Sequence, residues 1–540
     1  MSFSPRALEI AQATIAFALL LGSVFCLPRA YGAAVDALRR GSAADRALLL
    51  AALVAGAVLR FAVFPRRLAM IYIGYHQTQQ AIDLLPLSHY GAGAATFYHV
   101  LFAFLPRDHL TILWVDAGIG VLTLPLLGAV AARLLDDRRV GALAALAVAL
   151  TPLFIRNDNS EANNVPALWW ALAGLLLWYG YLDTRRRGAL AAALTLLTLA
   201  AVSRPEMPLL VVALVALVTL AERARLDRRD PALVVGLGVS ALLVVPHLLH
   251  AWNAVRIFER TGASLSFGLL DVLARAPSAF LGVNVLFDPR LYPVGLLLLG
   301  LAALVWGDAA RRRRRLLLAA STPLVLALYA VDLDRGNMAR VEVPEALIWT
   351  ILAASGMTVL WARTTRPAVR ALGALALTLS FAATIPRVFA MTNEEAEDAF
   401  LRELLPLLPR GRFTFVRLGF DDMDRSGDGF TQHHFPDYLL GADGRDGRPM
   451  SVAEWTAIPR SKHDEPVLFH LGTRCYARFR HDGVPPPHGD DLQAPCAKMR
   501  ADFRLVPVVE RVVKNHGDVW LAYYGDAPTL TLGLYRVEAR

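Results

Sequence analysis

Up to about residue 391 the chain alternates apolar runs with short polar breaks, and beyond it the pattern changes. The runs cover 8–27, 47–64, 111–132, 139–155, 165–182, 189–203, 206–221, 231–251, 293–307, 316–333, 341–361 and 369–391. Most are ~17–22 residues, the helix length that crosses ~30 Å of hydrocarbon. The pattern predicts an α-helical polytopic membrane protein with about 11–13 transmembrane helices. Tyr90–Leu105 is also apolar but only ~16 residues long and carries His99, so it is read as an interfacial helix rather than a span. After 391 the period shortens. Glu394–Pro409 is an amphipathic helix, and Phe413–Phe420, Pro466–Gly472, Phe503–Val513, Val519–Gly525 and Leu530–Glu538 read as strands. The expected domains are a membrane domain, 1–395, with outer loops 65–110 and 252–292, and a soluble α/β domain, 396–540.

Composition supports this division. The 540 residues are 56% apolar, above the ~45–50% of soluble proteins. The net charge of +9 lies in short loops: Arg185–Arg187, Arg223–Arg229 and Arg311–Arg315. Such clusters flank membrane spans on the cytoplasmic side, so they mark topology and imply no nucleic-acid partner. With Arg311–Arg315 inside, Asp136–Arg139 also falls inside. The segments 65–110, Ile155–Asn164, Ser203–Glu206, 252–292, Asp334–Arg340 and the C-terminal domain fall outside. The N-terminal run 8–27 then starts outside, or is an uncleaved signal-like segment. The abundance of Ala, Leu and Arg points to a GC-rich bacterial genome, so the expected location is a bacterial inner membrane, multi-pass, with the C-terminal domain extracytoplasmic. Of three cysteines, Cys26 lies in a span, while Cys475 and Cys496 lie in that domain and are disulfide candidates in an oxidising compartment.

The outer segment Ile73–Gly93 is crowded with His, Gln and Tyr, and Asp83 is the one acid between Arg67 and Asp108. An ordered series of features surrounds it. The loop closes in His89-Tyr-Gly-Ala-Gly93 and a further helix. A span ends in Ala131-Ala-Arg133-Leu-Leu135, and the next begins at Gly141 and ends Leu150-Thr-Pro152. The polar loop Arg156-Asn-Asp-Asn-Ser-Glu-Ala-Asn-Asn164 follows. Later come the turn Ser203-Arg-Pro-Glu206 and Asn337-Met-Ala-Arg340-Val-Glu-Val-Pro344. Over about residues 47–391 this series resembles the GT-C class of membrane glycosyltransferases, which use polyprenyl-phosphate sugars, including the protein-mannosyltransferase-like and aminoarabinose-transferase-like branches.

The resemblance implies a polyprenyl-phosphate sugar donor, contact with membrane lipids, and an envelope glycan, lipid or protein acceptor. It implies that a first-loop acid serves as base or metal ligand, because the acceptor must lose a proton as the sugar leaves its phosphate. Where the class commonly has Asp-Glu, this chain has Tyr75-His76-Gln77. Asp83 or His76 is then the first-loop candidate, and Glu161 of the second loop its catalytic partner. Asp158, Arg67, Arg204, Arg335 and Arg340 are the substrate-binding candidates, since Arg recognises lipid phosphate through its planar fork. A divalent metal ion is a possible cofactor by the same resemblance, and no zinc spacing is present among His76, His89 and His99. Each residue has a bland reading. Arg at an interface anchors helices, Arg204 and Glu206 make a hairpin ion pair, and Asn, Ser and Glu suit a helix start.

In the C-terminal domain, Asp422, Asp424, Ser426 and Asp428 with Gly427 imitate half of a calcium loop, but its twelfth position is His433 rather than Glu. The loop reads as an acidic surface, and His433 and His434 as a surface that could face the membrane site. No hydrolase triad, P-loop or dinucleotide fingerprint appears in the required context. The function expected is transfer of a sugar from a polyprenyl-phosphate donor. The alternative is a non-catalytic GT-C-like scaffold or glycolipid-binding partner, favoured by the missing acidic pair. A transporter is disfavoured because the spans hold few charges.

Overall fold

A computed structural model describes residues 5–68, 71–85, 87, 91–162, 164–224, 226–227, 229–260, 285–323, 343–417, 444–458, 465–476, 478–479, 493–516, 522–523 and 526–539. Among these, seven helices are long and apolar enough to cross a membrane. They lie in α1 (Pro5–Arg39), α2 (Ala43–Val58) with its extension to Val63, α5 (His109–Leu134), α8 (Asn164–Thr184), α11 (Pro231–Arg260), α14 (Val343–Arg363) and α15 (Pro367–Val388). A helix pair bent by 69°, α6 (Arg138–Leu150) and α7 (Pro152–Asp158), is apolar and long enough for a broken span or a re-entrant loop. The break falls at Thr151-Pro152: Pro at the first helical position has no N–H to give and starts a new axis. Three predicted spans are short helices of 15, 15 and 13 residues: α9 (Arg187–Ala201), α10 (Met207–Ala221) and α12 (Val294–Trp306). The fourth, 316–333, is described only in α13 (Ala309–Ala320) and the few residues after it.

Two boundaries move. The first helix runs on through Pro28 to Arg39, well beyond 27. The helix expected to end at 251 continues to Arg260 into the outer loop. The short third and fourth helices, α3 (Ile71–Asp83) and α4 (Ala92–Leu101), occupy the long segment between α2 and α5. At ten residues α4 is too short to span.

The arginine-rich loops meet at one end of the bundle. Arg133 pairs with Asp183, and Glu222 takes Arg314 at 3.0 Å and Arg133 at 3.6 Å. Arg311 reaches Asp137 at 2.6 Å, and Arg138 donates to the carbonyl of Arg40. One sign of charge is thus interleaved with acids from three loops, as the topology rule anticipates. The segments around Arg67 and Arg156 and the C-terminal domain sit together at the other end, joined by Arg67 and Arg156 to Glu395.

The C-terminal domain begins with α16 (Asn393–Leu404), after which come β1 (Phe413–Arg417), β2 (Gly447–Ser451), α17 (Val452–Ala457), β3 (Val467–Leu471), β4 (Arg478–Phe479), α18 (Gln493–Asp502), β5 (Phe503–Lys514), β6 (Ala522–Tyr523) and β7 (Thr529–Ala539). The five-stranded sheet has order β2-β1-β3-β7-β5, with β2, β1 and β3 parallel and β7 antiparallel to both neighbours. Its period of two decides which layer each side chain joins. Phe415, Leu468 and Leu534 face α16, while Val416, Phe469 and Tyr535 face α17 and α18. The first helix of this domain is entered at Thr392. A capping box starts α16 there, with Thr392 Oγ1 accepting from the Glu395 N–H and Glu395 Oε2 from the Thr392 N–H. Cys475 and Cys496 form a disulfide beneath α18. The calcium-like loop with Asp422, Asp424, Ser426, Asp428, Gly427, His433 and His434 lies outside the described residues.

Candidate active site at the loop end of the bundle

The site is built where α2, α5, α7 and the start of α8 converge. At the end of α2 the backbone widens into a π-helical turn, Leu59–Val63, a feature that often marks functional positions. This turn delivers Arg60 into the bundle, with no exposed surface. Its Nε and Nη2 donate to Asp158 Oδ2 at 2.9 and 2.6 Å, and Nη1 reaches the Ala149 carbonyl at 3.2 Å. Asp158 approaches so closely because position 120 is glycine: a Cβ there would lie 2.4 Å from Asp158 Oδ2.

Asp116 projects from α5 beside this pair and is fully buried. The Tyr98 hydroxyl on α4 donates to its Oδ1, while Oδ2 has no hydrogen-bond partner among the described residues. Burial first, then the Asp116 carboxylate, hold the Tyr98 phenol well above its usual pKa, and Glu161 adds to the effect. Tyr98 is therefore a neutral donor at any physiological pH.

Glu161 is fully buried where the second loop meets α3. A Cβ at Gly74 would sit 3.1 Å from Glu161 Cγ and 2.6 Å from Leu68 Cδ2, so α3 can lie this close only with glycine there. Asn159 ties the two loops together. Its Nδ2 donates to the carbonyls of Arg60, Phe64 and Pro65, and its carbonyl accepts from the Arg67 N–H at 3.0 Å.

The turn after α9 closes another side. Arg204 pairs with Glu206, and His247 Nε2 lies 3.0 Å from the Arg204 carbonyl. Gly91, at φ +92°, fits against His247 and the Val202 carbonyl, where a Cβ would lie 2.5 and 2.6 Å away. Thus Gly91 and Gly93 and the Ser203–Glu206 turn, far apart in sequence, are neighbours.

The expected site residues divide. Glu161 and Asp158 enter the buried cluster. Asp83 is exposed at the far end of α3 and accepts from Gln79 Nε2 at 2.6 Å. It lies about 13 Å along the helix axis from Gly74, the position that covers Glu161. Arg67 is engaged with Glu395 and with the Phe389 carbonyl at 2.7 Å. Arg66 caps carbonyls of Arg60 and Phe61 and lies over Trp114. Arg335 and Arg340, His89 and the side chain of His76 lie outside the described residues. His99 Nδ1 meets the Ala81 carbonyl at 2.8 Å, an ordinary structural contact. Among the described residues no group of three or more His, Cys, Asp or Glu could hold a metal ion.

Sequence reasoning passed over Arg60, Tyr98, Asp116, Arg156 and Glu395. For Arg60 and Asp116 the signal was present. Each is the lone charge in an otherwise apolar span, and an ionisable group inside a span marks a functional site by default.

Comparison with known proteins agrees with this placement. Residues 94–250, from α4 to α11, match the family described as dolichyl-phosphate-mannose-protein mannosyltransferase. No curated protein is similar enough in sequence to count as a match. Among solved structures, the Archaeoglobus fulgidus oligosaccharyltransferase in its apo form is 13% identical, at TM-score 0.48, over 80% of this chain and 70% of that one. ArnT from Cupriavidus metallidurans bound to undecaprenyl phosphate is also 13% identical, at TM-score 0.47, over 91% and 97%. The arabinofuranosyltransferase AftD from Mycobacteria is 15% identical, at TM-score 0.43, over 93% and 42%. Likenesses this distant carry no functional weight of their own. The family match covers the elements that supply Tyr98, Asp116, Asp158 and Glu161, so it is this part of the chain that is similar to the mannosyltransferase family.

Proposed function

We propose that the chain moves a sugar from a polyprenyl-phosphate donor to an envelope glycan, lipid or protein acceptor, at the end of the bundle opposite the arginine-rich loops. The observation that carries this reading is the buried carboxylate cluster, Asp116, Asp158 and Glu161, inside the family-matched segment. In a bacterial inner membrane the arginine-rich end faces the cytoplasm. The outer loops and the C-terminal domain then face outward, where the Cys475–Cys496 bond is at home.

The acceptor oxygen or nitrogen attacks the anomeric carbon. The bond from that carbon to the phosphate oxygen breaks, and its electron pair leaves with the lipid phosphate. The acceptor proton passes to a carboxylate, for which Glu161, at the junction of the two outer loops, is the first candidate. Asp83 is the second, favoured by its exposure to an incoming acceptor. Asp158 is held by Arg60 and serves the cluster as a fixed charge. Arg66 and Arg67 are committed to protein partners, so in this reading the phosphate role falls to the late-loop Arg335 and Arg340, with Arg204 framing the cavity.

The non-catalytic alternative keeps one observation in its favour, Tyr75-His76-Gln77 in place of an acidic pair. Purified protein in lipid nanodiscs, mixed with polyprenyl-phosphate sugars and envelope extract, separates the two. Release of free polyprenyl phosphate, followed by mass spectrometry and abolished in Glu161→Gln or Asp83→Asn, supports transfer. Donor binding without release from wild type supports the scaffold.

A further inference from the structure

We infer that Glu395 is a positioning residue for the transfer site. From the first turn of the C-terminal domain it locks both outer loops in register, and with them the second-loop carboxylates; this rests on the transferase reading above. In an ordinary capping box the N3 carboxylate serves only the N-cap N–H. Here the same carboxylate also meets two guanidiniums, Arg67 Nη1 at 3.1 Å and Arg156 Nη2 at 3.6 Å. Arg156 in turn donates to the carbonyls of Arg67 at 2.6 Å and Leu68 at 2.9 Å. The Arg67 N–H closes the circuit on the Asn159 carbonyl at 3.0 Å. The circuit therefore encloses Asp158, two residues after Arg156, and ends just before Glu161.

The cluster is largely shielded from water: the side chains of Glu395, Arg156 and Arg67 are 6%, 12% and 24% exposed. Away from water the charge pairing is strong, and without Glu395 two neighbouring cations would repel each other. The domain does not depend on this contact to stay attached. Leu113 of α5, together with Leu68 of the first loop, packs with Phe400, Leu401 and Leu404 of α16, and Arg402 Nη2 lies 3.1 Å from His109 Nε2. Loss of the Glu395 charge should therefore loosen the loops without releasing the domain.

The test uses full-length protein in nanodiscs carrying Glu395→Gln, which keeps an acceptor for the Thr392 N–H and removes the charge. Donor kinetics and amide hydrogen exchange are read together. We expect kcat to fall about tenfold or more with donor KM within about twofold. Exchange over 152–162 should rise about tenfold while exchange over β5 stays unchanged. Glu395→Asp, which restores the charge on a shorter arm, should recover part of both, and it carries the test if the Gln variant fails to fold. Wild-type exchange over 152–162 in the Gln variant overturns the inference, as does faster exchange with unchanged kcat. A wild-type protein that transfers no sugar overturns the transferase reading instead, and the exchange data still decide whether the clamp exists.

Discussion

Replacing Asp158 by Asn tests the physical core of the site. Arg60 has no exposed side-chain surface, and its partner's side chain is 13% exposed. The pair draws two of its hydrogen bonds from a single carboxylate oxygen. Asn is nearly isosteric, so the shape of the site survives and the change is one of charge. It leaves a guanidinium buried in a bundle with no counter-charge in contact. Breaking a buried pair from one side costs about 3–5 kcal/mol, most of it the price of the stranded ion. At roughly 2 °C per kcal/mol for a large domain, the unfolding temperature should fall by about 6–10 °C. The assay is thermal unfolding in nanodiscs at one fixed scan rate, because large membrane domains seldom refold. A companion variant, Arg60→Met with Asp158→Leu, removes both charges and should regain most of the loss, since an apolar replacement of a buried pair is close to neutral. If Asp158→Asn melts within about 2 °C of wild type, or the double variant is as unstable as the two single changes summed, the pair is not the buried ionic contact described.

Three further outcomes follow from the geometry. Tyr98→Phe strips Asp116 Oδ1 of its donor and should cost about 1–3 kcal/mol, read in the same unfolding assay. Gly91→Ala puts a Cβ at φ +92° against His247 and the Val202 carbonyl; it should lower the yield of folded protein, measured by size-exclusion chromatography. In the C-terminal domain, burial first and then Arg417 lower the His470 pKa to about 3. Its Nε2 is 3.6 Å from Glu397, whose other oxygen is taken by the Thr473 N–H and hydroxyl, and Phe400 and Phe415 stack beside the ring. The unfolded chain then binds a proton that the folded one does not, between about pH 6.5 and about pH 3. Stability should fall with decreasing pH across that window, by up to about 1.4 kcal/mol per pH unit, and be full above it. His470→Phe should flatten the slope in an unfolding series over those pH values.

The helical core was legible because apolar runs and arginine loops obey the bilayer. The same rule put Arg311–Arg315 and Asp136–Arg139 at one end, where Arg311 pairs with Asp137. Strands β1, β3, β5 and β7 were legible from their period of two, whereas β2 and β4 were not read as strands, and the Cys475–Cys496 pairing was legible from position in the domain. The capping box at Thr392 was also written in the sequence, as Thr392 followed three residues later by Glu395. The ionic circuit was not legible. Arg67, Arg156 and Glu395 are separated by up to 328 residues, and each alone looks like a solvated interfacial charge. The commitment of Arg67 to Glu395 rather than to a phosphate depends on folding, as does the separation of Asp83 from Glu161 along α3. Asp116 and Arg60 were readable but undervalued, because a low count of charges in the spans drew attention away from the two that mattered.

The central claim is sugar transfer at the Glu161 end of the bundle. Its most direct test is mass-spectrometric profiling of envelope glycans in cells lacking the protein, complemented with wild type, Glu161→Gln or Asp83→Asn at equal abundance. The account predicts that a sugar disappears on deletion, returns with wild type and with Asp83→Asn, and does not return with Glu161→Gln. Full restoration by Glu161→Gln, or an envelope whose glycans do not change on deletion, would contradict it.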